Sequence, residues 1–66
     1  MITVLICSKY DSTVVIKTID PKSKDEFDHN ISEITTQAIN QLGKFYLDFD
    51  TIDSNDEQKK WVEEEY

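Results

Sequence analysis

The chain has 66 residues, enough for one domain with a small core: a chain of this length buries only roughly 60% of its unfolded surface. Fourteen acids stand against seven bases, all of them lysine, for a net charge of −7. Without arginine, the preferred fork for phosphate, that balance excludes nucleic acid and anionic membranes as the expected direct partners. Cys7 is the only cysteine, so no disulfide can form within the chain, and a lone thiol fits a reducing compartment. No basic leader precedes the apolar run from Ile2 to Cys7, which is far too short to span a bilayer. A cytoplasmic location is the expectation.

Ile2 to Ser8 is β-branched and apolar on both alternating faces, with Ile2, Val4 and Ile6 on one and Thr3, Leu5 and Cys7 on the other. It reads as a central strand covered on each side. Lys9 to Ser12 reads as a turn, and Thr13 to Ile19 as a second strand, giving a hairpin that Asp20-Pro21 ends. A helix follows. Capping-box spacings at Ser23…Glu26 and at Asn30…Glu33 leave its start at 23 or at 30. Its apolar stripe is Phe27, Ile31, Ile34, Ala38 and Leu42, and Gly43, the only glycine, stands where a C-cap belongs.

Lys44 to Asp50 alternates, with Phe45, Leu47 and Phe49 inward and Tyr46, Asp48 and Asp50 outward. Ser54…Glu57 has capping-box spacing and predicts a terminal helix over roughly residues 55–65. The expected class is α+β, with element order ββαβα in a single domain over 1–66. A right-handed crossover places the third strand beside the first, in a three-stranded antiparallel sheet of order 2-1-3. The long helix covers one face. The terminal helix, through Trp61 and Val62, or a second subunit covers the other; a homodimer suits so small a core.

The inventory speaks against catalysis. Cys7 lies in the most apolar strand and reads as a small core residue. His29, the only histidine, sits among Glu26, Asp28 and Asn30 on a solvated helix. One glycine cannot build a phosphate loop. Asp48, Asp50, Asp53, Asp56 and Glu57 are rich in oxygen, but an EF-hand loop begun at Asp48 fails at Ile52, Asp53 and Lys59. No cofactor and no metal site is expected, and the chain is not expected to be an enzyme.

The charge is uneven. Residues 45–66 carry eight acids and two lysines, whereas residues 1–24 carry four lysines and two acids. Glu63, Glu64 and Glu65 sit at the C-terminal end of a helix, against its macrodipole. Tyr46, Asp48 and Asp50 share a strand face with no base between them. Broken local rules of this kind often mark function. The candidate partner-binding residues are Tyr46, Asp48, Asp50, Asp53, Asp56, Glu57, Trp61, Glu63, Glu64 and Glu65, with Tyr66 as a further apolar anchor. Carboxylates rowed in this way would offer a basic protein a substitute for phosphates.

In size, in charge, in lack of arginine and in the acids rowed over residues 44–66, the chain resembles the small DNA-mimic inhibitors of bacterial viruses. Those proteins occupy the DNA-binding surface of a host protein; their targets include the nucleoid protein HU, uracil-DNA glycosylase, restriction enzymes, RNA polymerase and CRISPR effectors. The resemblance is one of composition and charge layout, and no family motif carries it. It implies an inhibitor acting in the host bacterial cytoplasm on a basic DNA-binding protein, with HU-type nucleoid proteins favoured. The alternative is an adaptor that binds through an apolar sheet face and Trp61, its acids serving solubility alone.

Overall fold

The computed structural model describes residues 1–65 and is an α+β fold. Its elements are β1 (Ile2–Ser8), β2 (Val14–Ile19), α1 (Lys24–Leu42), β3 (Phe45–Asp50) and α2 (Asp56–Glu65). The three strands form one sheet of order β2-β1-β3, and both pairings are antiparallel. Register sets the two faces. Ile2 pairs with Ile19, Ile6 with Val15 and with Leu47, and Val4 with Phe49, which puts these side chains on one side. Ile2, Val4 and Ile6 pack there with Phe27, Ile31, Ile34 and Ala38 of α1. Full burial of a side chain of this size stabilises by about 1.5–3 kcal/mol.

α1 takes the earlier of its two expected starts. The Ser23 hydroxyl accepts from the Glu26 N–H at 3.2 Å, and the Glu26 carboxylate accepts from the Lys22 N–H at 3.2 Å. The return bond thus reaches one residue beyond the usual capping-box partner. Starting at Lys24 also places Phe27, fully buried, in the first turn. At the other end the Gly43 N–H donates to the Ile39 carbonyl at 3.1 Å. Gly43 has φ +74° and ψ −101°, a backbone state that glycine enters at little cost and other residues rarely adopt.

α2 departs from expectation in two respects. Its capping box is displaced by one residue: the Asn55 side chain accepts from the Gln58 N–H at 2.9 Å, and Gln58 Oε1 accepts from the Asn55 N–H at 3.2 Å. It also lies on the same side of the sheet as α1. Trp61 and Val62 pack against the shared core, and the Trp61 ring lies 6.1 Å from that of Phe27. The terminal helix therefore does not cover the second face of the sheet.

Besides this packing, α2 is tied to that side by the Gln58 amide, which has no exposed surface. Oε1 accepts from the Met1 amino group at 3.0 Å, and Nε2 donates to Asp20 Oδ1 at 3.0 Å and to the Pro21 carbonyl at 3.1 Å. Donors face the amide oxygen and acceptors face its nitrogen, so one amide orientation alone fits. This node joins the start of β1, the end of β2 and the first turn of α2. Ser54 Oγ donates to the Met1 carbonyl beside it. Among the described residues no helix is long and apolar enough to cross a membrane.

Candidate partner-binding surface

The second face of the sheet presents Thr3, Leu5 and Cys7 from β1, Val14, Ile16 and Thr18 from β2, and Tyr46, Asp48 and Asp50 from β3. No element among the described residues packs over it. Val14, Ile16 and Tyr46 are 51%, 64% and 54% exposed, against the covered face, where Ile2 and Val4 have no exposure. Cys7, expected as a core residue, lies half-buried on this open face beside Tyr46. Hydrogen bonding and charge interaction with Cys7 raise the Tyr46 hydroxyl above its ordinary value; desolvation and Asp48 add to the rise.

Cross-strand pairing gives the face its pattern. Leu5 of the middle strand sits between Ile16 and Asp48, and Thr3 sits between Thr18 and Asp50. One side of the face is thus apolar and the other acidic. Asp48 Oδ1 accepts from the Phe49 N–H at 2.9 Å, and Asp50 Oδ1 accepts from the Ile52 N–H at 3.0 Å. These bonds hold the two carboxylates without neutralising them. An open, shallow depression lies at this edge, with Leu5, Asp48, Asp50, Ile52 and Lys59 in its lining.

The remaining acids lie elsewhere. Asp53 is in the turn after β3, where its carbonyl oxygen accepts from the Met1 amino group at 3.0 Å. Asp56 and Glu57 open α2, where acids suit the helix dipole. Glu63, Glu64 and Glu65 close it, with Glu65 paired to Lys24 and Glu64 4.0 Å from Lys60. The Lys24 pair joins the end of α2 to the start of α1 and offsets part of the unfavourable dipole placement. The eight carboxylates therefore divide into a β3 pair on the open face and an α2 group on the covered side, with Asp53 between them. Asp48, Asp50, Asp53, Asp56, Glu57 and Glu63 have no ion-pair partner among the described residues.

Trp61, partly buried, packs against the core beside Phe27, on the other side of the sheet from the open face. Tyr66 lies outside the described residues. His29 is exposed on α1 with Glu33 at 3.0 Å. Among the described residues no three His, Cys, Asp or Glu side chains converge as metal ligands would. No protein-family model, curated protein or solved structure matches the chain.

Proposed function

We propose that this chain binds a basic DNA-binding protein and blocks its DNA-binding surface, an HU-type nucleoid protein being the favoured target. The observation that supports this is the pair Asp48 and Asp50: adjacent outward positions of β3, held by local backbone bonds, with no cation paired to either among the described residues. Outward carboxylates two residues apart on a strand stand roughly 7 Å apart. Two basic side chains spaced to grip successive phosphates meet a comparable pair of charges there. The net charge of −7 adds long-range attraction toward a basic partner.

The test is titration of the purified chain against an HU-type protein across a range of salt, with duplex DNA as competitor. Affinity is expected to fall steeply as salt rises and DNA is expected to be displaced. The double variant Asp48→Lys/Asp50→Lys is expected to weaken binding by roughly tenfold or more. Affinity unchanged by salt, or a ternary complex with DNA, would sink the reading.

A second reading has one observation in its favour. Val14 and Ile16 are exposed apolar residues on an uncovered face, which suits an adaptor binding through that face. In that case Ile16→Ser abolishes partner binding while the aspartate substitutions leave it unchanged.

A further inference from the structure

The apolar and acidic halves of the open face adjoin along one strand, and their junction is shaped for one kind of side chain. Leu5 lies beside Asp48 in register, Ile16 flanks Leu5 on the far side, and Asp50 and Ile52 close the depression. A lysine or arginine has an aliphatic stem and a charged head. The stem lies favourably on an apolar floor while the head reaches a carboxylate. Lys59 lines the same depression but pairs with neither carboxylate, so Asp48 and Asp50 are open to a cation from outside.

We infer that the open sheet face docks a cationic segment that carries apolar side chains beside its lysines or arginines. The apolar residues of that segment seat on Val14, Ile16 and Leu5, and its cations lie toward Asp48 and Asp50. The inference rests on the proposed function and assigns its contact surface. Charge selects the occupant: none of the nine open-face strand positions holds a base, so the complement must bring the cations. A second copy of the chain would bring another net −7 to the same place. Size agrees. Three strands about 4.8 Å apart and six residues long make a face roughly 14 Å by 20 Å. One helix, about 10–12 Å across with its side chains, spans that width. A helix or a two-stranded ribbon is also what enters the DNA major groove.

The occupant and the proposed function are tested separately with two peptides of equal charge. One is helix-forming, with leucines at i, i+3, i+4 and i+7 and lysines elsewhere; in the other, alanine replaces each leucine. The leucine–lysine peptide is expected to bind roughly tenfold more tightly than the alanine–lysine peptide. Ile16→Ser, a change at an exposed position, is expected to erase that preference, and Asp48→Asn/Asp50→Asn is expected to weaken both peptides. Lys59→Gln, which removes the internal cation, is expected to tighten binding severalfold. Circular dichroism and thermal unfolding of each variant confirm an intact fold. Equal affinity for the two peptides, or indifference to Ile16→Ser, overturns the inference and leaves the proposed function standing if HU-type binding still falls with salt. Binding of the leucine–lysine peptide without any binding to an HU-type protein sinks that target while the docking surface holds. Concentration-dependent dimers in sedimentation that Ile16→Ser abolishes would assign the face to a second copy and overturn the inference.

Discussion

Gln58 is an amide without exposed surface in a helix whose other polar residues face water. In the sequence it is one more polar residue in an acidic segment, and nothing in its neighbours marks it as buried. Its partners Met1, Asp20 and Pro21 come from the opposite end of the chain, and a pattern read over a local window does not register them. Gln58→Leu keeps the volume and removes the side-chain bonds of Gln58, leaving the buried Pro21 carbonyl without its donor, while the Met1 amino group keeps the Asp53 carbonyl and Asp20. The expected loss is about 3 kcal/mol, a large part of the roughly 3–10 kcal/mol that a chain of this size holds. Urea denaturation would read it as a lowered midpoint at unchanged slope. Asp20 gives the same node a pH dependence. The hydrogen bond from Lys22 Nζ at 2.7 Å, then that from Gln58, lowers its carboxyl from 3.8 to about 2. A depressed carboxylate stabilises the fold above its unfolded value and loses that contribution on protonation. The stability difference between the native chain and Asp20→Asn is therefore expected to be constant above about pH 5 and to shrink as pH falls from about 4 toward 2. Thermal unfolding across that range checks it, and a difference that grows on acidification would contradict the assignment.

At the scale of elements, the long-period signals were the legible ones. The stripe Phe27, Ile31, Ile34 and Ala38 of α1 is buried as its spacing requires, and β3 alternates half-buried and exposed residues along its length. Helix ends are less legible because overlapping caps compete. Two capping-box spacings overlap before α2, Ser54…Glu57 and Asn55…Gln58. The second forms because Gln58 is already held in the core by residues that no local rule includes. Asn55→Ala is therefore expected to cost about 1 kcal/mol and Glu57→Ala close to nothing. Parallel denaturation curves would separate the two, and equal losses would restore the cap to Ser54 and Glu57.

For the molecule as a whole, strand order was legible because a hairpin, a crossover helix and a right-handed connection leave few choices. The side on which α2 packs was not. Thr3, Leu5 and Cys7 predict a strand covered on both faces, with Trp61 and Val62 or a second subunit over the second. The turn over residues 51–55 instead returns α2 to the side of α1, where Gln58 and Trp61 find partners. The outward positions of Tyr46, Asp48 and Asp50 were legible from alternation alone. Their grouping with Leu5 and Ile16 was not, because it depends on cross-strand register.

The strand order β2-β1-β3 has a consequence for the chain as it is made. Ribosomes deliver roughly 5–20 residues per second, so β1 emerges seconds before the strand that completes its second edge. During that interval β2 is the only nearby segment able to occupy a flank of the most apolar strand. The growing chain passes through a stage in which a hydrophobic ribbon has one naked flank and most of the carboxylates are still to come. Synthesis thus meets its sticky phase before its repulsive one, and the acid-rich final third arrives as the protection of a fold already under way.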